Sequence, residues 1–343
     1  MIVKKIKIQG FRNLIDTSIE FSPGQNLIYG LNGAGKTSIL EAIFFLGFGK
    51  SFLNAKRSEV LNRDAREFQV RMLVEDSVTH HELACFFSGN RFSLMSDDKK
   101  INLMEANEIF HPVFFSSSNY DTYIQSKPFV RKLVDRFIFG VNSLYINYIL
   151  SYNKALKQKN HLLKKGKNFS GLTGWNRVLS DTGVKIMNNR INFVDKLNRE
   201  IGSSFDSSLQ IQYKPTMRLH KDLSVDQYFN ELEKISEVEI AAHRCLKGPH
   251  LDHFEFQLNG ENLKYNSSGE KKINLLKIYI SFIELFKKEK KQYPVFLVDD
   301  YDTAIDSENV EFLLDHYPEM QVIATSVNKN NQFDYLIELF KEN

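Results

Sequence analysis

The sequence predicts an α/β fold, built on a parallel sheet and interrupted by a long helical insertion. Three observations carry that expectation. Residues 30–37 read GLNGAGKT, a complete GxxxxGK[ST] loop, and residues 295–300 read VFLVDD, an apolar strand closed by two acids. Between them lies a basic, helix-patterned stretch. A phosphate cradle and a carboxylate-bearing strand more than 250 residues apart imply one nucleotide-binding body with a large insertion between its lobes.

The loop sits where such a cradle works. Asn26-Leu27-Ile28-Tyr29 reads as the strand before it, and Lys36 through Leu46 as the helix after it. Gly30, Gly33 and Gly35 let the backbone turn left-handed and approach phosphate closely. The amides around Asn32, Ala34 and Ser38, at the positive end of a helix, suit an anion. Lys36 is expected to reach the β- and γ-phosphates, and the Thr37 hydroxyl to ligate Mg²⁺.

Composition narrows the class. The 343 residues are 42% hydrophobic and 25% charged, as in a globular protein of one large or two ordinary domains. Two cysteines, Cys85 and Cys245, without CxxC spacing argue against a zinc site and for a reducing compartment. The N-terminus alternates like a strand and has no signal-peptide core, and the most apolar window, 273–286, is broken by Lys277 and Glu284. A cytoplasmic protein without membrane contact is expected. Net charge is only +3, but residues 121–200 carry fifteen Lys or Arg against five Asp or Glu. That stretch is +10, which leaves −7 for the remainder.

Strands are expected at Ile2–Ile8, Asp16–Phe21, Asn26–Tyr29, Phe68–Glu75, Thr79–Phe87, Phe92–Met95 and Val113–Phe115, with a hairpin turn at Ser88-Gly89-Asn90. From Pro128 the pattern turns helical. Tyr145, Tyr148, Ile149, Tyr152 and Leu156 form one stripe, with Lys154, Lys157 and Lys159 off it. A polar loop is expected over 166–174, then a helix from Trp175 to Ile201, roughly 40 Å long and ended by Gly202. The aromatic stripe reads as interhelical packing rather than base stacking. Leu209–Tyr213 is a strand, 219–247 is helical, and Phe254–Leu258 is where the nucleotide-binding lobe resumes. The domains expected are 1–117, an inserted mainly helical arm over 118–240, and a second lobe over 241–343.

The 295–300 strand delivers Asp299 and Asp300 to the C-terminal edge of a parallel sheet. Asp299 is expected to hold Mg²⁺ and Asp300 to orient the attacking water. Ser267-Ser268-Gly269-Glu270 opens a long helix near Ile273; alone it is an ordinary cap. Some thirty residues ahead of the acidic strand it is similar to an ABC-type signature, whose Ser267 and Gly269 face the nucleotide of a second copy. With one loop and one signature per chain, a complete site requires two chains.

These residues in this order resemble the RecF family, the recombination-repair ATPases of the SMC-like ABC group, over nearly the whole chain. The resemblance rests on Gly10-Phe11-Arg12-Asn13, Pro23-Gly24-Gln25-Asn26, the loop with Leu40-Glu41-Ala42-Ile43, and Gly49-Lys50-Ser51-Phe52. It continues through Leu144–Leu163, Trp175 with Gly183 and Arg190, Gly248-Pro249-His250 with Asp252, and Asp299-Asp300 with Thr303-Ala304-Ile305-Asp306 as D-loop. The sequence departs from the family pattern in the signature Ser267-Ser268-Gly269-Glu270-Lys271-Lys272, at Ser117-Ser118-Asn119, and at Leu251 and His253. His250 and His253 read as structural rather than as a metal pair. The resemblance implies an SMC-like head with a helical arm and weak, DNA-stimulated ATP hydrolysis. It also implies ATP-dependent dimerisation on gapped or single-strand/duplex junction DNA without sequence specificity. Partners resembling RecO and RecR, and loading of the RecA recombinase in DNA damage repair, replication restart and the SOS response, follow from it as well. Two alternatives stay open: a nucleotide-sensing scaffold with decayed hydrolysis, and another SMC-like ABC ATPase such as a defence protein. A solvated helical face is the competing explanation of the basic stretch.

Overall fold

The computed structural model describes residues 1–76, 79–116, 120–165, 169–205, 208–217, 224–304 and 316–340. Two compact units emerge: Met1–Asp121 with Ser267–Asn343, and Thr122–Asn266. Ile305 and Asp306 of the expected D-loop, and Ser117-Ser118-Asn119, lie outside the described residues.

The first unit opens with β1 (Ile2–Phe11), β2 (Leu14–Glu20), β3 (Gln25–Tyr29) and α1 (Lys36–Phe48). It continues through β4 (Glu67–Glu75), β5 (His80–Ser88), β6 (Arg91–Ser96), β7 (Lys99–Ile101), α2 (Leu103–Ile109) and β8 (Pro112–Ser116). Six of these strands make an antiparallel sheet in the order β2-β1-β4-β5-β6-β7. Along β4 the burial alternates with period two, Phe68, Val70, Met72 and Val74 facing inward, the pattern of a sheet covered on one face. By contrast α1 is apolar almost all round, and Ile39, Leu40, Ala42, Ile43, Phe45 and Leu46 have no exposed surface, the signature of a core helix. Phe45 meets Phe11 and Phe68 edge-to-face at 5.7 and 5.6 Å, while Phe44 reaches Phe114 of β8 at 6.1 Å.

Through α3 (Tyr120–Gln125) the chain enters the second unit, formed by α4 (Lys127–Val141), α5 (Tyr145–Lys165), α6 (Phe169–Ser204), β9 (Leu209–Lys214), α7 (Val225–Lys234), α8 (Ser236–Ala241), β10 (His253–Leu258) and β11 (Glu261–Asn262). The polar segment 166–174 was expected as a loop, but α6 already starts at Phe169 and runs 36 residues, past Gly202. Helix propensity costs at Gly171, Gly174 and Gly202 are about 1 kcal/mol each and are outweighed by the packed face. Gly183 has a positive reason to be glycine: a Cβ there would meet the Tyr228 ring at 3.0 Å. The strand at Phe254–Leu258 does not resume the nucleotide-binding lobe. It pairs antiparallel with β9, from His253 opposite Lys214 to Leu258 opposite Leu209, and so belongs to the second unit. The expected boundary at 241 therefore moves to Ser267, because backbone pairing to a strand 40 residues earlier outranks apolar pattern alone.

The return segment completes the first unit with α9 (Ser268–Lys290), β12 (Val295–Asp299), α10 (Tyr301–Ala304), β13 (Val322–Ser326) and β14 (Tyr335–Glu338). It closes a five-stranded, all-parallel sheet in the order β14-β3-β13-β12-β8. Every residue of β12 and β13 is buried, as strands covered on both faces require. Gln321 ties this sheet to the other, accepting from Val3 N at 2.7 Å and donating to Val3 O at 2.8 Å. No helix among the described residues is long and apolar enough to cross a membrane.

Candidate functional site

Topology puts the two halves of the expected site side by side. Strand β13 pairs with β3 on one edge and β12 on the other, so the loop after β3 and the acids ending β12 share one sheet edge. There the Thr37 hydroxyl donates to Asp299 Oδ1 at 2.9 Å, across 262 residues of sequence. Thr325, at the end of the intervening β13, donates to the same oxygen at 2.8 Å, and its own hydroxyl accepts from Asp300 N at 2.9 Å. Both bonds fall on Oδ1; Oδ2 takes neither. A buried carboxylate with one such oxygen, beside a threonine hydroxyl, is a hard-oxygen donor set that fits Mg²⁺. Asp300 takes a left-handed φ of 50°, uncommon outside glycine, which turns the chain sharply after the strand.

The loop itself is shaped for close approach. Gly30, Gly33 and Gly35 have φ of 151°, 84° and 103°. Gly33 is exposed, and a Cβ there would meet nothing within 4 Å, so its glycine serves backbone conformation and not internal packing. Gly30 differs: a Cβ there would lie 2.3 Å from the Leu339 carbonyl oxygen. Lys36, 6% exposed, folds back on its own loop and donates to Gly30 O at 2.7 Å and Leu31 O at 3.0 Å. Those carbonyls hold the ammonium over the space the loop encloses. Asn32 is exposed, Ala34 donates its N–H to Leu31 O at 3.2 Å, and Ser38 donates to Asn13 Oδ1 at 2.8 Å.

Asn13 was not among the residues the sequence reading selected for the site. Its Nδ2 donates to Gly33 O at 3.0 Å, so the β1–β2 turn braces the loop from outside. Arg12 adds a second brace, gripping Glu41 of α1 through Nε and Nη2 at 2.7 and 2.8 Å. Glu41 is 1% exposed, a buried carboxylate in an apolar helix that needs this two-pronged partner. Thr325 was not selected for the site either. Nothing in a lone threonine signals that it bridges two acids.

Burial, together with the neighbouring Asp300 charge, holds the Asp299 carboxyl above the usual carboxylate range, against the hydrogen bonds from Thr325 and Thr37 and the Lys36 charge. With the folded pKa above the unfolded one, the contribution of this group is full below its unfolded pKa and is lost as pH rises through the folded value. Once ionised, the carboxylate therefore destabilises the ligand-free protein relative to its protonated form. Asp299→Asn keeps an acceptor for both threonines. It is expected to raise the melting temperature of the nucleotide-free protein at pH 7, the gain shrinking as the pH falls into the carboxylate range. Differential scanning calorimetry across that range checks it.

Ser267 and Gly269 are not joined to this loop within the chain. Ser267 caps α9, donating its hydroxyl to Glu270 Oε2 at 2.8 Å while its backbone N–H reaches the same oxygen at 3.0 Å. Both Ser267 and Gly269 are exposed. Around them, the Ser268 hydroxyl meets Tyr120 OH at 2.6 Å, and Lys271 pairs with Asp121 at 3.3 Å.

In the second unit the structure sorts the basic stretch. Lys159, expected off the packed stripe, has no exposed surface and pairs with Glu239. Arg190 is 1% exposed and held by Asp135, Asp252, the Tyr145 hydroxyl and the Pro249 carbonyl. These two cations are structural. Lys154, Lys157, Lys164, Lys165, Lys196 and Arg199 remain exposed. His250 Nδ1 lies 2.9 Å from Tyr152 OH, and burial pulls its pKa down to about 4, so it is neutral at pH 7. Among the described residues no group of three or more His, Cys, Asp or Glu is placed to hold a metal ion.

Comparison with known proteins bears on this geometry. Residues 2–342 match the family described as RecF/RecN/SMC N terminal domain. The DNA replication and repair protein RecF of Acetivibrio thermocellus is 30% identical over 96% of this chain and 94% of its own length. RecF of Lachnoclostridium phytofermentans is 31% identical over 95% and 92%. A solved structure described as the recombination mediator protein RecF–ATP in the RecFOR pathway superposes with a TM-score of 0.90, at 28% identity, covering 99% of this chain and 96% of that one. An SMC head bound to the C-winged helix domain of ScpA, 16% identical with a TM-score of 0.55, shares the fold alone. The parallel sheet carrying loop and acids, the antiparallel sheet beside it and the long-helix insertion are thus those of an SMC-like ABC head, and the chain belongs to the RecF family.

Proposed function

We propose that this protein is an ATP-dependent DNA-binding protein of recombinational repair and replication restart. It binds gapped or single-strand/duplex junction DNA as an ATP-induced dimer and helps to load recombinase, with partners of the RecO and RecR kind. The observation that carries the reading is the 2.9 Å bond between Thr37 and Asp299, which unites loop and acid in one site. Gly30, Asn32, Gly33, Ala34, Gly35 and Ser38 frame the phosphates. Lys36 exchanges its two carbonyl partners for the β- and γ-phosphates. Thr37 and Asp299 would hold Mg²⁺, which supplies charge neutralisation at the phosphates. Asp300, on its strained turn, orients water for slow hydrolysis, so the nucleotide acts as a timer. Ser267 and Gly269, exposed at the start of α9, complete the site of a second copy. Relatives named as DNA replication and repair proteins, and RecF solved with ATP, support the assignment.

Light scattering with and without Mg–ATP tests the dimer. A particle that doubles in mass with ATP is expected; a monomer in every condition would sink the reading. Capture on gapped but not blunt DNA, in the presence of ATP, tests the substrate. If about six exposed cations meet phosphate, log K falls against log salt with a slope of roughly −5. Lys164→Ala with Lys165→Ala should flatten that slope by about 2, whereas a merely solvated face leaves it near zero throughout.

One observation favours a second reading, the nucleotide-sensing scaffold. Glu270 occupies both the hydroxyl and the amide of Ser267, the groups a γ-phosphate would need. Turnover with and without gapped DNA separates the two, since a scaffold shows no stimulation.

A further inference from the structure

Strand β13 is buried along its whole length, yet it ends in two hydroxyls, Thr325 and Ser326, neither with any exposed surface. Ser326 is spent on Asp302, to which it donates at 2.8 Å. Thr325 lies between the strands that carry the phosphate loop and the acids: it stands opposite Ile28 of β3, and its neighbour Ala324 opposite Val298 of β12. We infer that Thr325 is a positioning residue that sets the cation preference of the site, holding Asp299 to one free oxygen and so favouring Mg²⁺ over Ca²⁺. The inference rests on the nucleotide reading above and adds to it a residue outside every motif of the chain.

The hydrogen bonds can be followed proton by proton. A threonine hydroxyl has one proton and two lone pairs. Asp300 N, which can only donate, takes a lone pair of Thr325 at 2.9 Å, so the hydroxyl proton is left for Asp299 Oδ1 at 2.8 Å. The Thr37 hydroxyl donates to the same oxygen at 2.9 Å. A carboxylate oxygen offers about two acceptor positions, and these hydroxyls take both. Oδ2 is the oxygen left to face a cation. Because Thr325 has no exposed surface, solvent does not compete for either of its bonds.

Cation chemistry gives this count its consequence. Mg²⁺ demands near-ideal octahedral geometry at short distances, whereas Ca²⁺ is larger, accepts more oxygens and readily takes both from one carboxylate. With Oδ1 saturated, the two-oxygen mode that suits Ca²⁺ is closed, and the one-oxygen mode that suits Mg²⁺ stays open. The same hydroxyl, through Asp300 N, anchors the turn in which Asp300 takes its left-handed φ of 50°. Packing alone does not ask for a hydroxyl here. Valine has the same branched shape and suits a strand covered on both faces.

Calorimetric titration of the full chain with ATP, in Mg²⁺ and separately in Ca²⁺, tests this. Wild type should bind Mg–ATP more tightly than Ca–ATP. Thr325→Val should weaken Mg–ATP by roughly 10- to 100-fold, the span for losing a partner that orients a metal ligand, and leave Ca–ATP within about twofold. Thr325→Ser keeps the hydroxyl and should keep the wild-type preference. Should Thr325→Val not fold, Thr325→Ala removes the same hydroxyl with no added demand on space and carries the same expectation. Equal weakening for both cations, an unchanged preference without the hydroxyl, or a loss shared by Thr325→Ser overturns the inference while the phosphate-loop reading stands. Absence of ATP binding to wild type with both cations overturns both.

Discussion

Lys36→Ala is expected to abolish nucleotide binding at working concentrations. The ammonium is almost wholly buried and already engaged with two carbonyls, so its position is fixed before any ligand arrives. Little side-chain entropy is then lost when phosphate replaces those carbonyls. Two charge-assisted bonds to phosphate, at roughly 1.5 kcal/mol each, amount to about 3 kcal/mol, a loss in affinity on the order of 150-fold. Titration with Mg–ATP measures it, and ATP-induced dimerisation should disappear in the same variant. The chain should still fold, since the carbonyls released, Gly30 O and Leu31 O, sit on a partly exposed loop. An affinity within a few-fold of wild type would show that Lys36 does not touch the phosphates.

The largest expected effect on stability lies in the second unit. Arg190 is enclosed by Asp135 on one side and Asp252 on the other, with Nη1 also donating to Pro249 O at 2.8 Å. Asp252, which has no exposed surface, accepts in addition from Thr216 N at 2.7 Å and from the Tyr213 hydroxyl. Arg190→Leu leaves two carboxylates without their cation, and such losses cost about 3–5 kcal/mol. Arg190→Lys should recover little, because a point charge cannot span the fork that a guanidinium makes. Adding Asp135→Asn and Asp252→Asn to Arg190→Leu should return a large part, since the penalty comes from unpaired charge. The single tryptophan, Trp175, lies in α6 of the same unit, so urea unfolding followed by its fluorescence reads this unit alone. A midpoint unmoved by Arg190→Leu would show that the network is incidental.

This network also explains a limit of reading charge from sequence. By counting, residues 121–200 carry fifteen cations, and nothing in their spacing separates Arg190 and Lys159 from Lys164 or Lys165. The separation comes from partners far along the chain: Asp252 for Arg190, Glu239 for Lys159. A charge is free or spent according to what the fold places opposite it, and local sequence holds no record of that.

Other features were legible because their cause is local. The loop at 30–37 needs only glycine backbone freedom, a strand before it and a helix after it, all within some twenty residues. Strand β12 announces itself by four consecutive apolar residues ended by acids, since a strand covered on both faces has no polar side to show. Likewise β4, β5 and β6 came within a residue or two of their expected bounds, because one-sided burial writes a period of two. Among the described residues, β7, only three residues long, α2, α3, β11, α10 and β14 at the sheet edge escaped. Each is too short for periodicity to rise above composition.

By itself, then, the sequence determined the phosphate loop, the acid-bearing strand, the one-sided and two-sided strands and the presence of a helical insertion. In every case a repeat or motif only a few residues long contains the physical cause. Only the tertiary structure decided that β10 pairs with β9 and moves the unit boundary to Ser267, and that Thr325 ties Asp299 to Asp300. It alone decided, too, which arm cations are spent in buried pairs, and that the Leu339 carbonyl lies against Gly30. These are contacts between residues tens to hundreds of positions apart, whose energy depends on geometry that only the closed fold provides.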